Sequence, residues 1–338
     1  MKRTKGLAAA LVVFVIIAGF MAGCASSPPP QAFNPAGDPA ALVQQYLTIK
    51  KAEKLKGIKK VAIPQFMVQF VTTSSGGASA ASASSKSTAV HVTYALKNVD
   101  HAQLQAIADK MYDQVVDEFT KAGIEVVPVE KYNESKPFKK LLDGAKTPPY
   151  EVSQSDGTSY YFGAKGLPVY FDKNDKRQGL GNMFAAGFSN FDPEKWEERI
   201  GEENDCASLV INYGVTFAAM TTDGGYWKNA ATVNTKLKVT LIPEDTKYIV
   251  YSKNGTTRFT LKEAVYADGM FINDVTDALT SGEKTANAIS GALGAMGGSS
   301  SKTLKYNANA DAAAYTSLVE KHMTAIDSLI FNQMKANF

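Results

Sequence analysis

Two stretches of strict alternation in the last third of the chain limit its fold most. Leu209, Ile211, Tyr213, Val215 and Phe217 interleave with Val210, Asn212, Gly214 and Thr216, and Val233, Thr235, Leu237, Val239 and Leu241 interleave with Asn234, Lys236, Lys238 and Thr240. A period of two is the period of a strand with one buried and one polar face. Asp223-Gly224-Gly225 supplies a turn between the two runs. Further on, Asn254-Gly255 separates Tyr248–Lys253 from Thr256–Leu261, the residue pair that a two-residue type I′ hairpin favours. The C-terminal third therefore reads as a β-meander.

Upstream the grammar changes to strand, helix, strand, helix. Val61 to Val71 is apolar and β-rich, as a strand covered on both faces would be, with Pro64 arguing for an edge or early position. Asp100 can cap a helix carrying Leu104, Ile107, Ala108, Met111, Val115, Phe119 and Ala122 on one face, with Gly123 ending it. Ile124 to Val129 reads as the next strand and Ser135 to Leu142 as a short helix. A closing helix from Asp311 presents Tyr315, Leu318, Val319, Ala325, Ile326, Leu329 and Ile330 to a core. This order predicts an α/β (α+β) fold: a mixed sheet with helices packed on it. The Ser-, Ala- and Gly-rich stretch Thr72 to Thr88 reads as a flexible surface loop before a short strand at Val90 to Leu96.

Residues 143 to 192 interrupt the rhythm with Pro148-Pro149, Asp156-Gly157, Tyr160-Tyr161-Phe162 and Leu167 to Phe171, and read as an inserted hairpin and loop. Pro193 then starts a short acidic helix with Trp196 and Ile200. Tyr160, Phe162, Tyr170 and Trp196 are the candidates for a partner or ligand face, with packing into the core as the competing reading.

The N-terminus carries an address. Lys2, Arg3 and Lys5 precede an almost wholly apolar Leu7 to Phe20, followed by Met21-Ala22-Gly23-Cys24. The apolar run is too short to span a bilayer comfortably and is flanked as an export signal. It resembles the bacterial lipoprotein signal, with Met21 where that motif usually has Leu. The resemblance implies cleavage between Gly23 and Cys24, diacylation of Cys24, and a lipid-anchored place in the cell envelope, at the outer membrane facing the periplasm. Residues 24 to 37 form a proline-rich tether, and 38 to 57 read as an N-terminal helix opened by Asp38-Pro39, its lysines from Lys50 to Lys60 on a solvated face. Residues 58 to 338 then make a single domain.

Loss of residues 1 to 23 removes three of the 36 basic side chains and no acid, leaving a balance with the 33 acidic ones. A near-neutral chain has no global field for nucleic acid, so no nucleic-acid partner is expected. With Cys24 lipidated, Cys206 has no disulfide partner and reads as a small buried hydrophobe. His91, His101 and His322 show no metal-ligand spacing, and neither a metal nor a cofactor is expected.

The near-motifs fail on inspection. Gly297 to Thr303 resembles the end of a phosphate-binding loop, but Met296 and Ser301 stand where its glycines belong, and a low-complexity loop is the better reading. Ser299 and Lys302 have the spacing of a serine nucleophile and lysine base without the other elements of that arrangement. Asp172, Asn174 and Asp175 open like a calcium loop, but Arg177 occupies the glycine position and Met183 the final acidic one. The acidic run Asp192 to Asp205 has Lys195 and Arg199 interleaved and reads as a solvated, salt-bridged helix. No catalytic residue is nominated.

In Lys60-Val-Ala-Ile-Pro-Gln-Phe66, Gly123 to Val129, Ala207 to Val215 and Lys238 to Val250 the chain resembles the periplasmic α/β domain of curli-secretion channel lipoproteins (CsgG-like) and of the LpoB and TolB N-terminal domains. With no catalytic motif and a tethered domain suited to recruitment, the expectation is a non-enzymatic envelope lipoprotein that binds a protein partner or acts in envelope assembly, with a homo-oligomer as a further expectation. Two alternatives stand beside it: a CsgG-like secretion channel or accessory subunit, with Leu209 to Ile242 entering the membrane, and a hydrolase or carbohydrate-binding module using the aromatic insertion.

Overall fold

The structure is a computed structural model that describes residues 32–81, 86–172, 175, 191–226, 228, 230–243, 245–266, 268–296 and 299–338. Gly23 and Cys24, and most of the segment from 173 to 190, lie outside the described residues. The described residues hold six helices and one mixed sheet of fourteen strands that does not close into a barrel, which is the fold class expected. Residues Phe33–Phe338 form one compact unit.

The elements in order are α1 Pro39–Tyr46, β1 Leu47–Lys50, β2 Lys60–Ala81, β3 Ser87–Lys97, α2 His101–Lys121, β4 Glu125–Val127, α3 Lys136–Leu142, β5 Tyr150–Gln154, β6 Gly157–Gly163 and α4 Pro193–Glu203. There follow β7 Ala207–Asp223, β8 Gly225–Tyr226, β9 Thr232–Leu241, β10 Lys247–Ser252, β11 Gly255–Leu261, β12 Val265–Tyr266, β13 Ile272–Asp277, α5 Ser281–Ala295, β14 Ser300–Ala310 and α6 Ala312–Lys335. The main path across the sheet is β1-β11-β10-β7-β2-β3-β14-β13.

β2 and β7 run parallel at the centre, and alternate residues of β7 sort the two faces. Leu209, Ile211 and Tyr213 enter the main core with Leu104, Ile107, Met111, Val115 and Phe119 of α2 and Tyr315, Val319, Met323, Ile326 and Ile330 of α6. Val210 packs instead with Ile249 and Tyr251 on the opposite face, where α3 and α4 lie over Ala62 and Val127. Aspartates cap the two long helices: Asp100 accepts from the Gln103 amide at 2.8 Å and Asp311 from the Ala314 amide at 3.0 Å. Val239 is fully in the main core and Leu237 packs against it half-buried.

Several local expectations need correction. The N-terminal helix does not run to residue 57; it stops at Tyr46, because Leu47–Lys50 pairs antiparallel with β11 and completes that edge of the sheet. Nor is Thr72 to Thr88 a flexible loop through its described residues: β2 continues to Ala81 and pairs in unbroken register with β3, from Thr73 opposite Ala95 to Ala81 opposite Ser87. Small residues serve the packing there. A Cβ on Gly76 would lie 3.0 Å from Met220 Sδ and 3.3 Å from Val233 Cγ1, so glycine lets the β7–β9 hairpin settle onto β2.

Pro64 sits early in β2, as one of the two alternatives had it, but on a central strand and not an edge. It falls where the register with β7 shifts between Ala62 and Gln65, and between the stretches of β2 that pair with β4 and β6. A bulge is where a strand tolerates a missing N–H. The expected insertion is sewn into the main sheet, because β6 of the β5–β6 hairpin pairs with β2 from Met67 to Ser74. The Asn254-Gly255 hairpin is present one residue out of register: Lys253 and Asn254 form the turn, and Gly255, at φ +114°, opens β11 opposite Ser252. Ser300 to Thr303 belong to β14 and not to a loop.

Candidate functional site

Parallel pairing of β2 with β7 places the starts of both strands side by side, with Val61 opposite Ala207. The basic run before β2 and the acidic helix before β7 therefore face each other, although some 140 residues separate them in the sequence. Between them opens a groove of about 590 Å³, within the size range of ligand sites. Lys56, Lys59 and Lys60 before β2 and Lys253 of the β10–β11 turn line it together with Glu198, Glu202 and Asp205 from α4 and the turn after it. Of the lysines expected on a solvated helix face, Lys56, Lys59 and Lys60 line the groove; Lys56 and Lys59 are exposed as expected, but no α-helix carries them.

Cys206 lies half-buried in this groove and is not the fully buried hydrophobe expected. Burial pushes its thiol up to about 11, against the opposite pull of Lys60. A thiol in that range stays protonated near neutral pH and is a poor nucleophile.

Tyr251 lines both the groove and a second, smaller cavity of about 20 Å³, room for one water-sized ligand. Gln65, Tyr170, Asp172, Glu197, Asn212 and Lys247 are among its walls. Glu197 is only 3% exposed, although it belongs to a helix read from sequence as solvated. The Tyr170 hydroxyl donates to its Oε1 at 2.8 Å, while Gln65 Nε2 donates to the Tyr170 carbonyl at 2.9 Å. Burial raises the Glu197 carboxyl to about 8, outweighing the hydrogen bonds from Tyr170 and Tyr251 that favour its ionised form. Asn212 Oδ1, also buried here, has no hydrogen-bond partner among the described residues.

The four aromatics expected to share one face are split. Tyr170 is buried against Ile200 and Phe138, with Trp196 partly buried beside the same cluster, and Lys195 and Arg199 lie over the Trp196 ring at 5.1 and 5.6 Å. Phe162 is in the main core, 5.7 Å from the Phe70 ring, and Tyr160 stacks at a tilt on His101 at 4.4 Å. Both of these sit on β6, so no common ligand face forms. Sequence reasoning missed Glu197 and the groove. Pro193, Glu197, Ile200 and Gly201 share the buried face of α4, so helical periodicity carries a signal for Glu197. The groove has no local signal.

A second buried carboxyl lies on the other face of the sheet. Tyr213 and Tyr248, whose hydroxyls are 2.6 Å apart, both donate to Asp327 Oδ1. Burial, and then the charge of Glu118, raise Asp327 well above the usual carboxylate range. The side chain is fully enclosed between α6 and the sheet.

Among the described residues no three His, Cys, Asp or Glu side chains are grouped to hold a metal ion, and no helix is long and apolar enough to cross a membrane. No protein-family model, curated protein or solved structure matches the chain.

Proposed function

We propose that this protein is a non-enzymatic lipoprotein of the bacterial cell envelope, anchored through Cys24 at the outer membrane and facing the periplasm, whose α/β domain recruits a protein partner. The groove between the lysines before β2 and the carboxylates of α4 carries this reading: its oppositely charged walls suit an extended protein segment bearing both signs of charge. The groove's one thiol is held protonated, which fits binding better than covalent chemistry. The tether supports recruitment too, since a surface-anchored domain meets membrane-bound partners at raised effective concentration.

Two measurements test the two halves separately. Intact-mass analysis of the membrane form is expected to give a chain beginning at diacylated Cys24, with Cys24→Ala accumulating unprocessed precursor; normal processing of that variant would remove the anchor from the reading. For the groove, affinity capture with crosslinking from native membranes is expected to enrich one protein with the wild type and to lose it with Lys59→Glu/Glu202→Lys. An unchanged crosslinking pattern in the charge-reversed protein would eliminate the groove as the docking site.

A further inference from the structure

Helix α5 is built inside out. Its half-buried positions Glu283, Asn287 and Ser290 face the sheet and are polar. Asn287 donates Nδ2 to the Thr303 carbonyl at 2.6 Å and accepts the Thr303 amide at 2.8 Å, taking the place of a next strand beside β14. Ser290 Oγ accepts the Ser301 amide at 2.6 Å, and Glu283 pairs with Lys305 at 2.5 Å. The outward side is apolar: Ile289 is 58% exposed, Leu293 50% and, just beyond the helix, Met296 76%. No charged residue occurs from Thr285 to Met296. A helix covering a domain ordinarily turns its apolar stripe inward, so this outward stripe calls for a cover.

Three further observations point to one kind of cover. The helix runs toward the end of the sheet where β14 begins, and the strand register sets Tyr226 at the same end: Tyr226 lies opposite Ala81, Ala81 opposite Ser87, and Thr88 opposite Ser300. Tyr226 is 78% exposed. An exposed tyrosine and an apolar helix thus flank one end of the sheet, about four strand spacings or ~19 Å apart.

The segments that build this end are also locally basic. Residues 72–99 and 284–310 contain Lys86, Lys97, Lys284, Lys302 and Lys305 and no Asp or Glu, while the β7–β9 hairpin at the same end adds Asp223, paired with Lys228, and Lys236. Lys284 and Lys305 are paired with Asp277 and Glu283 at its inner part, and Lys302 is exposed toward the tip. A second copy of the same basic end is a poor partner for it; an anionic surface is a good one.

The tether length agrees. Phe33 donates its amide to the Tyr266 carbonyl, Tyr266 pairs with Thr240, and β9 runs from there to Thr232 near the tip, eight residues or ~27 Å. From Cys24 to Phe33 the chain can extend by up to ~32 Å.

We propose that this end of the sheet seats on an anionic phospholipid surface, with Ile289, Leu293, Met296 and Tyr226 entering the headgroup–acyl boundary and Lys302 meeting the headgroups. Only the tether-length step rests on the Cys24 anchor.

The test uses the full chain bound to phosphatidylethanolamine/phosphatidylglycerol vesicles with brominated acyl chains. In a Trp196→Phe/Trp227→Phe background, a tryptophan introduced by Leu293→Trp is expected to lose at least half its emission relative to unbrominated vesicles, whereas one introduced by Leu142→Trp, on the exposed side of α3, is unaffected. Vesicle-bound protein with an unquenched Trp at 293 would overturn the proposal. So would crosslinking of Leu293→Cys between copies, which assigns the stripe to self-association, or equal binding of Leu293→Asp and wild type to these vesicles with matching circular dichroism. Binding to phosphatidylcholine vesicles is expected to be about tenfold weaker; equal binding removes the anionic requirement. The arms separate the two readings: quenching at 293 that persists in Cys24→Ser supports the surface without the anchor, and loss of vesicle association in Cys24→Ser with no quenching at 293 supports the anchor alone.

Discussion

Replacing Glu197 by Gln should stabilise the protein, and by more as pH rises. The carboxyl is ionised in the unfolded chain above its ordinary value of 4.5 but stays protonated in the folded chain until about 8. A raised folded-state value means that this side chain's stabilising contribution is fully present below 4.5 and is lost as pH climbs through 8, since folding must take up a proton over that window. Each unit between the two values corresponds to about 1.4 kcal/mol, so the cost is about 1 kcal/mol near pH 5, about 3 near pH 7 and about 5 near pH 9. Glutamine keeps the shape and an Oε1 acceptor for the Tyr170 hydroxyl, and its amide can donate to the Tyr251 oxygen, so it retains the contacts without the titration. The assay is urea unfolding of wild type and Glu197→Gln across that pH range, read as the difference between the two proteins so that every other titrating group cancels. The two stability curves are expected to converge near pH 5 and separate by several kcal/mol near pH 9. Parallel curves would refute the reasoning, because they would mean that Glu197 titrates alike in the folded and unfolded chains.

The same logic extends to three other positions. Asp327→Ala leaves the Tyr213 and Tyr248 hydroxyls without their shared acceptor and should cost about 2 to 3 kcal/mol in urea unfolding, whereas Asp327→Asn, which can still accept from both, should cost about 1 kcal/mol or less. Val239→Asp inserts a carboxylate into the main core and should prevent folding, read as loss of circular dichroism and of soluble yield; Leu237→Asp, half-buried, should be milder. Alkylation of Cys206 by iodoacetamide should be slow near neutral pH and rise about tenfold per pH unit toward pH 10, as a thiol near 11 requires; a plateau below pH 9 would contradict the burial argument.

What could be read from the chain divides along the line between local and distant physics. Helix caps at Asp38 and Asp100 were legible because the capping side chain and the amide it satisfies lie three residues apart, and both form as written. The alternation in β9 was legible for a similar reason, its lysines and Asn234 lying away from the core. In β7 the second face is buried too, with Val210 against Ile249 and Tyr251 and Asn212 enclosed, because α4 and the neighbouring strands cover it. The far half of β2 carried no such signal. Ser74, Gly76 and Ala78 have little β-propensity, and they are extended because β3 supplies backbone partners and the β7–β9 hairpin needs the space above them.

The groove was hidden for a topological reason. Lys56 and Glu202 are solvent-facing in any local reading, and only the parallel register of β2 with β7 sets them across from one another. The groove itself is therefore a product of fold, and its charge pattern a product of the two flanking segments. Helix α5 makes the complementary point. Its apolar residues from Ala286 to Met296 would be assigned to the interior by composition, yet the backbone of β14 claims Asn287 and Ser290 through hydrogen bonds that an unpaired strand edge must otherwise make with water. Satisfying that edge turns the polar side of the helix inward, and the apolar side then has nowhere to face but outward. The exposed stripe is in this sense the consequence of closing the sheet with a helix in place of a strand.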